Sequence, residues 1–209
     1  MPAHLTLLTV IFCLLAGASH SKPAKLHLSD APRLIRVPLT RQSTDYTCGA
    51  AALQSILGYY GDEFREDTLA KEMATDPDKG TDYKNIARFA KVRSYKVEIL
   101  HEMTLDSLKV LLDKGQPVIL AIQAWPEKPV DYSTDWEDGH YVVAVGHDKD
   151  RIYFMDPSTL GNYTYIPTKQ FLERWHDVDS FGNEKLIRTG IVITKGKPAY
   201  DPDAILPME

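Results

Sequence analysis

One thiol, one histidine on a strand and one acidic residue on the next strand are the groups in this sequence whose types and spacing suit covalent chemistry. Cys48 lies in QSTDYTCGAAALQSILGYYG, residues 42–61, between a polar, turn-prone run and an Ala/Leu-rich segment. From Ala52 the apolar residues Leu53, Ile56, Leu57 and Tyr60 recur at helical spacing, and Gly61 supplies a left-handed stop. Ser43, Thr44, Asp45 and Thr47 offer side-chain oxygens to the first free helix N–H groups. Cys48 is therefore expected at the positive end of a helix, where a thiolate is favoured over a thiol. Gly49, without a side chain, is expected to let a substrate backbone approach the sulfur. A lone cysteine is as often inert core filler, and position alone leaves the two readings balanced.

A hairpin tips that balance. Residues 140–145 and 151–155 alternate as strands, joined by His147-Asp148-Lys149-Asp150, a turn by composition. With the turn centred near Asp148, His140 and Asp156 face each other across the ladder and share one side of the sheet. A carboxylate beside an imidazole fixes its tautomer and favours its charged form. A thiol at a helix start, an imidazole and a supporting carboxylate are what thiolate attack on a carbonyl requires. Cys48 is then the nucleophile, His140 the general base and acid, and Asp156 its orienting group. The oxyanion takes the Cys48 backbone N–H and the side-chain amide of Gln42, on the loop before the nucleophile.

The other histidines carry less. His147 reads as a solvated turn residue beside Asp148 and Asp150, and His176 as a cation favoured at a helix C-terminus. His101 opens HEMTL, where Leu105 replaces the second histidine of a zinc-protease motif. With no CxxC and scattered histidines, no metal and no cofactor are expected.

The elements that must position these groups follow from periodicity. Residues 34–39 read as a short strand, 67–74 as a helix, and Thr81 or Asp82 as the cap of a helix with Tyr83, Ile86, Ala87 and Ala90 on one face. Residues 95–100 alternate as a strand, Thr104 caps a helix closed by Gly115, and the apolar run 117–124 reads as a central strand. A long aromatic and acidic loop spans 125–139, a helix 168–175 and a strand 186–194. The fold class is α+β, with N-terminal helices packed on a mainly antiparallel sheet.

With 209 residues and a formal net charge of −5, the chain suits one domain and shows no basic patch for nucleic acid. Residues 1–21 read as a secretory signal, cleaved between about Ala18 and Lys22: an apolar run, too short to span a bilayer, leads into small residues. Residues 22–33 then form a loose arm, 34–194 the domain and 195–209 a Pro-rich tail. The expectation is a secreted or periplasmic protein without stable membrane insertion, whose mature form keeps Cys48 as its one thiol. Oligomeric state is not written in the sequence.

Three stretches, VPLTRQSTDYTCGAAALQSILGYYG, KGTDYKNIARFA and GHYVVAVGHDKDRIYFMDPS, together resemble the peptidase C39 family of papain-like cysteine peptidases. The resemblance runs from about Val37 to Pro157 and implies a papain-like fold acting on a peptide or protein substrate. By position it implies Gln42 in the oxyanion hole, Cys48 as nucleophile, His140 as acid/base and Asp156 as orienting residue, the same four reached from the residues. No transporter helices or nucleotide-binding motifs accompany them, so the chain resembles the stand-alone, C39-like branch. Transporter-linked members cut leader peptides after a double glycine, and that specificity does not follow for an exported chain. The leading expectation is a secreted cysteine peptidase forming an acyl-enzyme at Cys48. The alternatives are a thiol-dependent acyltransferase on the same triad and a non-catalytic peptide-binding module.

Overall fold

A computed structural model describes residues 25–31, 33–126, 128–179, 181–205 and 207–208. The expected signal segment, residues 1–21, and its cysteine, Cys13, lie outside the described residues. The chain divides into two units, 1–30 and 31–209. The described part of the first holds a 3-10 turn, Leu28–Asp30. The second holds all five α-helices and eight strands of the described residues.

The helices are α1 (Cys48–Tyr59), α2 (Glu66–Glu72), α3 (Tyr83–Val92), α4 (Leu105–Asp113) and α5 (Thr168–Arg174). The strands are β1 (Lys96–Leu100), β2 (Val118–Gln123), β3 (Gly139–His147), β4 (Arg151–Met155), β5 (Tyr163–Pro167), β6 (His176–Asp179), β7 (Glu184–Ile187) and β8 (Gly190–Thr194). Six strands form one sheet in the order β1-β8-β2-β3-β4-β5, and β6 pairs with β7. Every described ladder is antiparallel, as expected. The all-apolar start of β2 is explained by its place: VILAIQ is buried at every position, between β8 and β3.

Against this sheet α1 packs on β3, α3 on β1 and β8, and α4 on β3 and β2, while α2 packs on α1. The central helix is the most deeply set: Ala50, Ala51, Ala52, Leu53, Ile56 and Leu57 are fully buried. Gly61 just beyond it takes φ +89°, the left-handed stop expected there. Asp82 caps α3 by accepting from the Lys84 N–H at 2.7 Å, and Thr104 forms a capping box with Ser107 on α4.

Three local expectations change. Residues 34–39 form no strand: Ile35 donates one bond to the Val145 carbonyl (2.7 Å), and the Pro38 carbonyl takes the Ser55 hydroxyl instead of a ladder N–H (2.7 Å). The expected strand 186–194 splits, because Arg188 at φ 45° turns the chain from β7, paired with β6, into β8, paired with β1 and β2. Strands β5 and β6 were not expected. Their short, mixed segments alternate too little to be read without the neighbours they pair with.

The tail is tied at its beginning. Ala199 and Tyr200 both donate to the Tyr59 carbonyl, at 3.0 and 3.2 Å, and Lys195 bonds to Asp62 at 2.6 Å.

Candidate active site

Cys48 is the first residue of α1, and Thr47 occupies the capping position. The expected side-chain cap does not form there. The Thr47 hydroxyl turns back to Thr44, accepting from its N–H (3.2 Å) and its hydroxyl (3.0 Å). No acidic residue lies in the first turn, so the positive end of the helix is left uncompensated at Cys48. The thiol is free and 8% exposed, at the border between buried and accessible.

Gly49 serves a different purpose from the one expected. A Cβ there would lie 2.8 Å from the Thr81 Cβ and 3.2 Å from the Tyr141 ring. The missing side chain lets α1 close onto Thr81 and Tyr141, and the space is filled by protein. Thr81 is itself fixed by a 2.8 Å bond between its hydroxyl and that of Thr75.

His140 comes from the start of β3, where it pairs with Ile122 of β2. Its Nε2 lies 2.9 Å from Asp156 Oδ1, and both side chains are almost fully buried. The Cys48 side chain is near enough to the ring to raise its affinity for a proton. Burial opposes a charge on the ring, but Asp156 and Cys48 outweigh it and push the His140 pKa up to about 10.

The pair meets by a route other than the expected direct opposition. Val143 faces Met155 and Ala144 faces Phe154, so the ladder continues toward Val142, rather than His140, opposite Asp156. The turn, closed by Asp148 N–H to the Arg151 carbonyl (3.0 Å), is centred between Lys149 and Asp150 rather than at Asp148, and the bulge between Ala144 and Gly146 takes back one residue of that shift, leaving the register displaced by two. A two-residue slip keeps a side chain on its own face. Asp156 therefore still reaches His140, diagonally, from the first position beyond β4.

Asp156 is held by the turn it opens. Its Oδ1 accepts the Ser158 N–H at 2.8 Å, an Asx-turn bond that aims the carboxylate at the ring. The same turn captures Gln42, whose N–H donates to the Pro157 carbonyl (3.1 Å). The Gln42 Oε1 accepts from the Ser158 hydroxyl (3.1 Å), and its Nε2 donates to the Thr44 carbonyl (2.8 Å). Gln42, His140 and Asp156 thus fall in one bonded network through Ser158, with Cys48 acting on the ring from the start of α1. A thiol at a helix N-terminus, an imidazole bonded to a carboxylate, and an amide nearby can together form and release a thioester.

A model of the Peptidase_C39 like family matches residues 34–181. The chain belongs to that family. Among curated C39 relatives, the transport/processing ATP-binding protein ComA of Streptococcus pneumoniae is 28% identical over 138 residues, 64% of this chain and 17% of that protein. LcnC, the lactococcin-A transport/processing ATP-binding protein of Lactococcus lactis, is 27% identical over 142 residues, 68% of this chain and 18% of that protein. The chain thus spans under a fifth of the length of these relatives. A crystal structure of a C39-like peptidase from Bacillus anthracis superposes with a TM-score of 0.60 at 20% identity, covering 78% of this chain and 96% of that one. The peptidase domain of Streptococcus ComA gives 0.57 at 19% identity, covering 76% and 98%. A double glycine motif protease from an AMS/PCAT transporter, solved with its leader peptide, gives 0.52 at 18% identity, covering 79% and 94%. These likenesses establish the papain-like α+β fold.

Around this C39 site lie residues that the sequence reading passed over. Gln123, fully buried at the end of β2, accepts the Asp138 N–H (2.9 Å) and donates to the His176 carbonyl (3.2 Å) and Asp177 Oδ1 (3.0 Å). It clamps the 124–138 loop and β6 to the strand end that carries His140. A Cβ on Gly139, next to His140, would lie 2.6 Å from an Asp177 carboxylate oxygen. Burial pushes the Asp177 carboxyl up to about 7, against the Val178 N–H and Gln123 amide that favour its charge. The signal for Gln123 was a polar residue ending a run of five apolar ones; Asp177 left none.

The remaining histidines have structural partners. His147 Nε2 lies 3.0 Å from Asp113, since the Asp148 carboxylate already serves Asp150, Arg151 and Tyr153. His176 is buried on β6 rather than capping a helix, and its Nε2 donates to the Asp135 carbonyl at 2.7 Å. His101 Nδ1 meets the Thr189 hydroxyl at 3.0 Å. Among the described residues no helix is long and apolar enough to cross a membrane.

Proposed function

We infer that this protein is a C39-like cysteine peptidase that hydrolyses peptide bonds through an acyl-enzyme at Cys48. The observation that carries the reading is the buried imidazole of His140, bonded to Asp156 and influenced by Cys48 at the start of α1. In that setting the ring holds a proton, and the sulfur stands at a helix N-terminus, the arrangement that thiolate attack uses.

The sulfur adds to the carbonyl carbon of the scissile peptide. The oxyanion takes the Cys48 backbone N–H and the second Nε2–H of Gln42, the first being committed to Thr44. His140 gives its proton to the leaving amine, the C–N bond breaks and a thioester remains. His140, now neutral, takes a proton from water, whose oxygen attacks the thioester and restores the thiolate. Asp156 holds the ring and stabilises its charged form.

The substrate on this reading is a peptide or protein segment. The processing role in the relatives' names and the leader peptide bound to one neighbour support that class. The leader-like residues 1–21 support action outside the cytoplasm, which separates this chain's substrates from a double-glycine leader met inside the cell.

The test is Cys48→Ala in the purified mature chain, exposed to a diverse peptide pool whose new ends are sequenced. Cleavage and covalent labelling by a thiol-directed probe are both expected to disappear while the melting transition is kept. Cleavage that persists in Cys48→Ala sinks the reading.

A further inference from the structure

Ser158 stands where the two halves of the site meet. Its N–H goes to Asp156 Oδ1 at 2.8 Å, and its hydroxyl donates to Gln42 Oε1 at 3.1 Å. The same hydroxyl lies 3.5 Å from His140 Nε2, too far to count as a strong bond but close enough to place it at the ring. One residue therefore touches the groups that handle the proton and the amide assigned to the oxyanion.

A glutamine amide can be turned over at almost no steric cost, exchanging its acceptor for its donor. Two contacts remove that freedom here. The Thr44 carbonyl, 2.8 Å from Nε2, can only accept, so it demands the NH2 end. The Ser158 hydroxyl supplies the donor that the oxygen end needs. Between them the amide is held with one N–H spent on Thr44 and the other left for a substrate oxyanion. Without the hydroxyl, only the Thr44 contact would hold the amide against turning over.

Resting on the peptidase reading above, we propose that Ser158 is a positioning residue that locks the Gln42 amide in its donating orientation and ties it to the His140–Asp156 pair. Ser158 is exposed, so water competes for the same contact and the effect is graded rather than absolute. It acts on acylation, where an oxyanion forms, and leaves untouched the reaction of the thiolate with an alkyl halide, where none does.

The experiment compares two reactions of Cys48 in the intact chain. In one, the thiolate attacks p-nitrophenyl acetate: the S–C bond forms, the C–O bond breaks and p-nitrophenolate leaves. In the other, iodoacetamide alkylates the sulfur and iodide leaves. Ser158→Ala is expected to slow acylation about threefold to tenfold, the range one neutral hydrogen bond commands. Alkylation and its pH profile stay at the wild-type level, and Ser158→Thr, which keeps the hydroxyl, restores acylation. Gln42→Ala slows acylation by about 10²–10³, and adding Ser158→Ala to it costs nothing more. Acylation unchanged in Ser158→Ala overturns the proposal, as does a loss that multiplies with that of Gln42→Ala. A parallel fall in alkylation also overturns it, because Ser158 would then act through the imidazole. Failure of the wild type to acylate, or acylation undiminished in Cys48→Ala, strikes the peptidase reading itself. An active wild type with an indifferent Ser158 strikes only the positioning role.

Discussion

Strand β3 carries two histidine–aspartate pairs of nearly the same length. His140 lies 2.9 Å from Asp156, and His147, near the other end of the strand, lies 3.0 Å from Asp113. Their surroundings differ. The side chains of the first pair are 6% and 5% exposed, those of the second 21% and 70%. Around His140 little water competes for the carboxylate, and the charge acts through a poorly screening medium. Around His147 the Asp113 carboxylate stands in solvent, where such pairs contribute little. The first pair also has a third member, the Cys48 thiol, and a turn that holds its carboxylate through Ser158. An imidazole beside a carboxylate is thus no site by itself; burial and the neighbouring Cys48 are what set the first pair apart.

The sharpest way to break the contrast is Asp156→Asn. Burial, which opposes charge on His140, then acts against one fewer partner, so the His140 pKa falls from about 10 and the alkaline limb of the rate profile moves to lower pH. The turnover number is expected to drop about 10²–10⁴-fold, the range seen when an imidazole loses its orienting carboxylate or its role in proton transfer. A profile unmoved by this change would show that Asp156 does not act on the ring.

Gly139→Ala tests whether the backbone beneath His140 needs its closeness to Asp177. The added Cβ would fall 2.6 Å from a carboxylate oxygen, with expected destabilisation of about 1–3 kcal/mol, measured by urea unfolding. An unchanged midpoint would show that Asp177 moves aside freely.

Asp177→Asn has a smaller effect, with a definite sign. In the folded protein Asp177 keeps its proton up to about pH 7, against the ordinary carboxylate value of 3.8. Its protonated folded form thus contributes stability that is complete below pH 3.8 and lost as pH rises through about 7. Asparagine, always neutral, removes that dependence. The melting temperature of Asp177→Asn relative to wild type should therefore climb between pH 4 and pH 8. A flat difference would mean the carboxyl ionises in place without penalty.

Asp113→Asn closes the series as the change expected to do least. Cleavage rate and pH profile should match wild type, and any loss resembling that of Asp156→Asn would erase the distinction between the two pairs.

Much of this was legible beforehand. The helix behind Cys48, the capped helices α3 and α4, the buried strand β2 and the two strands around His147 follow from local periodicity and from capping residues that act within a turn. The four candidate residues could also be singled out beforehand, each beside a recognisable turn, cap or strand end. Other features were hidden because they depend on distant partners. Gly49 reads as open space until Thr81 and Tyr141 fill it, and Thr47 reads as a cap until its hydroxyl turns to Thr44. The break between β7 and β8, at Arg188-Thr189, arises from two strands choosing different sheets, which the local sequence does not specify.

By itself the sequence determined most of the helices and the central strands, and that Cys48 opens a helix while His140 and Asp156 stand at strand ends. Those properties come from bonds and side-chain spacings within a few residues. Only the tertiary structure decided that a turn set further along the chain, less the one residue of a bulge, carries Asp156 two places from its expected partner, yet on the same face, and that Ser158 bridges it to Gln42. Register and long-range contacts are set by how strands and helices bury one another, and no local pattern along the chain encodes that outcome.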